Sequence, residues 1–264
     1  MDARPVIALT MRPHPKQRGV ALYVVSMVLL LSALLILWSS KTALFLEIVS
    51  RNDADYQRAF EAAHAMLEDA KADIALHLQD AAHPHTRTAA GNFLPTNPVQ
   101  WVAWLAALPN SSIAYCAYGV CYRSMEGENF WENAPALSQM LTTGARYGTY
   151  SGHGATSTPH PILGLHTANQ GAWYWIEPMP VQAGHIQWAQ GANAVPVIDS
   201  MLFKVTAIAL GLKTAQSSTG TSQRSPTMAV LQSVVVVPLV EDTSHSNGYA
   251  PAGPMRTLYW RQMQ

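Results

Sequence analysis

The stretch "KQRGVALYVVSMVLLLSALLILWSS", Lys16–Ser40, decides what the residues after it must build. From Val20 to Trp38 it contains no charged residue, no proline and no glycine. As a helix rising ~1.5 Å per residue, that run spans ~29 Å, about the thickness of a bilayer's hydrocarbon core. Twelve of its residues are Leu, Ile or Val. At roughly −0.4 kcal/mol each they favour insertion by about 5 kcal/mol, before Tyr23, Ser26 and Ser32 are set against them. Arg4, Arg12, Lys16 and Arg18 all precede the run. The positive-inside rule therefore keeps the N-terminus in the cytoplasm and carries the bulk of the chain across the membrane. A cleavable secretory signal is the rival reading. Its apolar part is shorter, ~7–15 residues, and ends at a small-x-small site, whereas this run meets Trp38 and Lys41.

The helix has no reason to stop at Trp38. Neither proline nor glycine occurs between Val20 and Asp80, which predicts one helix of up to about sixty residues, ~90 Å long. Its far half changes character. In "NDADYQRAFEAAHAMLEDAKADIALHL", Tyr56, Phe60, Ala63, Leu67, Ala70, Ile74 and Leu78 recur at spacings of three and four. That is a narrow apolar stripe able to lie on a sheet. Glu47 with Arg51 and Glu68 with Lys71 belong on the solvated face at supportive spacings. His64 and His77 carry no ligand pattern and read as surface or boundary residues.

The remainder of the 264-residue chain is long enough for one domain with a sizeable core. From Ala81 onward about eight Lys or Arg stand against seven Asp or Glu. That balance offers no broad electrostatic footprint for nucleic acid. Only two cysteines occur, in "CAYGVC". They read either as two buried thiols in a reducing compartment or, in an exported chain, as a disulfide: a short turn helped by Gly119 can bring Cys116 and Cys121 together. A zinc site needs more ligands, and a redox pair would normally be C-x-x-C.

A short basic leader, Gly19, an apolar half-helix and an amphipathic half-helix follow one another in that order. This arrangement resembles the class III signal of type IV pilins and pseudopilins. "RGVALYVVSMVLLLSALLIL" with "NDADYQRAFEAAHAMLEDA" is similar to the N-terminal region of PilX-type minor pilins. Asn52, Asp55, Ala59, Phe60, Ala62, Ala63, Ala65 and Leu67 match their N-x-x-D-x-x-x-AF-x-AA-x-A-L pattern. "FKVTAIALG", "AVLQSVVVV" and "MRTLYWRQM" are like the later strands of that family, while residues 81–172 show little likeness.

The resemblance implies that a prepilin peptidase cuts after Gly19 and that Val20, the new N-terminus, is then methylated. A residue without a side chain lets the backbone lie flat in a protease cleft. Lys16 and Arg18 supply the leader charge. The chain divides accordingly into a leader, 1–19; a long helix, 20–80, with its transmembrane part at 20–38; and a pilin-like globular domain, 81–264, in the periplasm or at the cell surface. Implied partners are the peptidase, other minor pilins, the major pilin, the inner membrane and an adhesin at the pilus tip. Major pilins carry glutamate at the fifth mature position, and here that place holds Val24. Pseudopilins that cap a filament share the lack, which implies either a tip or priming position or a family that docks without that pairing. A type II secretion pseudopilin is the near alternative. A single-pass membrane-anchored periplasmic enzyme or binding module is the alternative from another class.

The exported part reads as α+β: the helix first, then mainly antiparallel strands with the helix covering one sheet face. "WVAWLAAL" suggests a short helix and "SIAYCAYGVCYR" a strand and turn. "WYWIEPMPV" reads as a strand ended by Pro178 and Pro180. "MLFKVTAIALGL" and "MAVLQSVVVV" read as strands joined by a polar connection, and Leu258–Arg261 as an edge strand. Catalytic and cofactor motifs are missing, so no enzyme activity, cofactor or metal is expected. "GTYSGHG" (Gly148–Gly154) does not fit G-x-S-x-G and reads as a loop. His83 and His85 lack neighbouring ligands.

Overall fold

The computed structural model describes residues 20–79, 94–95, 98–107, 115–122, 129–153, 160–167, 170–182, 199–212, 227–244 and 249–263. His83 and His85, the leader residues Lys16, Arg18 and Gly19, and the connection at 213–226 lie outside them.

The first helix, α1, runs without a break over Val20–Gln79, the extent that the absence of proline and glycine predicts. The chain falls into two compact units that part within this helix, the first ending at Arg51 and the second covering Asn52–Gln264. In the first unit every described residue is exposed. In the second, α1 turns its stripe onto a sheet.

Among the described residues that sheet has seven strands: β1 (Tyr115–Ala117), β2 (Val120–Tyr122), β3 (Ala172–Gln182), β4 (Asp199–Leu210), β5 (Met228–Glu241), β6 (Tyr249–Pro251) and β7 (Arg256–Met263). They lie in the order β1-β2-β3-β4-β5-β6, and β7 pairs with β5 beyond β6's short contact. All pairs are antiparallel except β2 with β3. A long helix followed by a mostly antiparallel sheet is the expected α+β arrangement. The described residues also include the helices α2 (Pro98–Ala107) and α3 (Ala134–Thr143) and a 3-10 turn at Phe130–Glu132.

Alternation along the strands assigns the two faces. Tyr174, Ile176, Phe203, Val205, Ala207, Leu231 and Val235 form one buried cluster with Ala59, Ala63, Met66, Leu67, Ala70 and Ile74 of α1. Their neighbours Trp173, Trp175, Ile208 and Val230 point the other way, toward Phe130, Trp131, Met140 and Leu141. The small residues of α1 allow close approach of helix to sheet, and the tryptophans fill the opposite side.

β3 does not end at its prolines. It continues to Gln182, with Pro178 opposite Phe203 and Pro180 opposite Met201. The reason lies in which amides face outward. Tyr174 N–H donates to Ala145 O at 3.0 Å and Ile176 N–H to Gly119 O at 2.7 Å, both on the side away from β4. Residues 178 and 180 share that outward parity, so a missing N–H there removes no bond of the β3–β4 ladder. The Pro178 carbonyl accepts instead from Trp101 Nε1 of α2 at 3.2 Å.

α3 has no counterpart in the sequence reading. Its start is nevertheless chemically marked: the Asn133 side chain accepts from Ala136 N–H at 3.3 Å, and a proline stands in its first turn.

Candidate functional site

The feature that sets this chain apart is the surface of α1 in the first unit. Val20 is 61% exposed and Val24 51%. Leu29, Leu30, Leu34, Leu35, Ile36 and Trp38 are exposed in the same way. Burying one such aliphatic side chain is worth about 1.5–3 kcal/mol, so the run is strongly unfavourable in water and demands an apolar surrounding. α1 is long and apolar enough to cross a membrane.

Its polar groups are arranged to suit such a surrounding. Ser26 Oγ donates to Leu22 O at 2.9 Å, Ser32 Oγ to Val28 O at 2.8 Å and Thr42 Oγ1 to Trp38 O at 3.0 Å. Each hydroxyl proton is thereby satisfied within the helix. Charge returns at Lys41, and the exposed Glu47 and Arg51 side chains pair one turn apart.

In the second unit the helix is held by three buried aspartates, Asp55, Asp69 and Asp73. Asp55 Oδ1 accepts from Leu212 N–H at 3.1 Å, just beyond β4. Asp69 accepts from Gly148 N–H at 2.9 Å and from the Ser151 hydroxyl, with His153 Nδ1 at 3.3 Å from the same oxygen as Ser151. Asp73 Oδ2 accepts from Tyr174 Oη at 2.8 Å. Burial pushes the Asp69 carboxyl above its ordinary value, opposed in turn by the Ser151 hydroxyl, Gly148 N–H and His153.

The loop motif "GTYSGHG" thus folds around Asp69 and brings Ser, His and Asp together. The order differs from a nucleophilic relay, in which histidine stands between the hydroxyl and the acid. Here the carboxylate takes both partners itself, and the cluster ties the turn at Tyr147–His153 to the helix. Sequence reading missed this clasp. The local sign was Asp69 standing directly before Ala70 of the apolar stripe, and its partners Gly148 and Ser151 lie about eighty residues away.

Cys116 and Cys121 are joined by a disulfide. They face each other across the β1–β2 hairpin, whose turn residues Tyr118 and Gly119 have φ of 54° and 77°. Beside the turn lies a shallow depression of about 340 Å³ lined by Tyr118, Thr142, Thr143, Arg146, Thr149 and Tyr150. Arg146 is committed to structure. Its guanidinium stacks on Trp173 at 3.9 Å and donates to the carbonyls of Leu165, Thr167 and Gln170 at 2.8–3.1 Å. Desolvation lowers its pKa from the ordinary value.

Comparison with protein-family models, with curated proteins and with solved structures returned no match.

Proposed function

We propose that the chain is a minor pilin, a non-enzymatic assembly protein of the type IV pilus that acts in a priming or tip complex. The observation that carries this reading is the uninterrupted helix Val20–Gln79. Its first unit exposes an apolar surface, and its later turns are locked to a sheet. Prepilin peptidase cuts after Gly19, and the mature chain starts at N-methylated Val20. Before assembly the helix spans the inner membrane with the N-terminus in the cytoplasm; afterwards it packs against other pilins. Val24 leaves no carboxylate to meet the amino terminus of another subunit, which suits a subunit at the tip.

The test is the mass and N-terminal residue of the chain from cells with and without prepilin peptidase. A methylated Val20 that appears only with the peptidase supports the proposal. An intact leader in both strains, or a cut beyond Trp38, overturns it in favour of an anchored or secreted protein. Replacing Gly19 by phenylalanine is expected to leave the leader attached and to abolish pilus assembly.

A further inference from the structure

We propose that the outer edge of β7 is a strand-docking site, which takes an extended acidic segment of another protein as the next strand of the sheet. The proposal rests on the second unit alone and stands whether or not the chain is a pilin.

Among the described strands β7 pairs only with β5, along Val230–Val236. Among the described residues nothing pairs with its other edge, which there presents backbone N–H and C=O groups in a row. The sheet's opposite margin is blunted by β1, a strand of 3 residues, whereas β7 has 8. Short edge strands resist pairing with other chains, and long ones invite it.

The side chains point the same way. Leu258 and Tyr259 are each 49% exposed and Trp260 56%. Tyr259 lies opposite Val234 and Trp260 opposite Ser233, so the two rings occupy opposite faces of the sheet. Val234 and Ser233 are themselves buried. Large apolar groups left half bare on both faces of an outermost strand are what an added strand covers, because its side chains sit beside theirs on each face. The register shift between Val234 and Val235 leaves Leu258 as an extra residue, and the resulting bend restricts which strands fit.

Charge selects the occupant. β7 contains Arg256 and Arg261 and no carboxylate. Arg261 is held by Gln232, whose Oε1 accepts from Nη2 at 3.0 Å and Nε at 3.3 Å. Gln232 is a neutral acceptor, so the Arg261 charge stays uncancelled by it, with further donors to offer. A second copy of β7 would bring four guanidiniums and no carboxylate onto one ribbon, which opposes self-pairing. An extended segment with alternating acidic and apolar residues satisfies both the edge and Arg261.

The test uses the full chain in detergent and two eight-residue peptides, one alternating valine with glutamate and one alternating valine with lysine. Hydrogen–deuterium exchange is followed over residues 256–263, with residues 199–210 reporting on the fold. The glutamate peptide is expected to slow exchange in β7 by about tenfold and the lysine peptide to leave it unchanged. In the variant Arg261→Glu the preference for the glutamate peptide is expected to be lost. Protection by neither peptide, or by both equally in wild type, overturns the proposal. So does β7 protection that grows with protein concentration in the absence of peptide, which identifies a second copy as the occupant.

Discussion

Tyr174 on β3 donates its phenol to Asp73 on α1 at 2.8 Å, joining residues 101 positions apart in a buried contact. The bond closes the last turns of the long helix onto the sheet. Tyr174→Phe keeps the ring's packing and removes the hydroxyl. It is expected to destabilise the second unit by roughly 1–2 kcal/mol, read as a lower denaturant midpoint with an unchanged slope.

Asp69 gives the fold a defined pH dependence. Its carboxyl is held above the ordinary 3.8 by burial, so the folded chain binds that proton more tightly than the unfolded chain. The associated stability is complete below the unfolded value and is lost as pH rises through the folded one. Asp69→Asn removes this titration. The stability difference between wild type and the variant is therefore expected to fall as pH is raised from about 4 and then to level off. Urea unfolding at a series of pH values checks it, and a difference that grows with pH contradicts the assignment.

Gly119 cannot carry a side chain. At φ 77° a β-carbon there would overlap the Cβ of Ala145 and lie 2.8 Å from its backbone nitrogen. Gly119→Ala combines left-handed strain with displacement of the Ala145–Tyr174 pairing. A loss of at least about 2 kcal/mol is expected from thermal or urea unfolding.

The Cys116–Cys121 bond closes a loop with a sequence separation of 5. Loop-closure entropy for so short a ring amounts to ~2 kcal/mol. The double variant Cys116→Ala/Cys121→Ala is expected to lose about that much, and reduction of wild type to lose a similar amount. Because both cysteines are buried against Phe130, Trp131 and Trp175, alanine is the appropriate replacement; serine would add a buried hydroxyl.

How far these features were legible in the sequence depends on the range of the interaction that makes them. α1 was readable to within a residue or so, since a helix is built from neighbours and nothing between Val20 and Gln79 breaks it. β4, β5 and β7 were readable from their β-branched and aromatic runs. The stripe on α1 was readable as well, for Ala63, Leu67, Ala70 and Ile74 are buried. What escaped depends on distant partners. Pro178 and Pro180 look like strand ends until the parity of the outward amides is known. Asp69 looks like a solvated acid until Gly148 and Ser151 arrive beside it. α3 sits among residues 81–172, where no periodic run is long enough to announce it.

The hydroxyls of Ser26, Ser32 and Thr42 bond back to their own helix, and this has a thermodynamic consequence for any change of surroundings. At those three positions the helix asks its environment for no hydrogen bond, and there it meets acyl chains and the apolar flanks of other helices on nearly equal terms. Moving it from one to the other breaks no bond of these hydroxyls, and the difference between the two settings then turns on how well the leucines interlock. Shape, rather than chemistry, is then what such a helix has to tell one setting from the other.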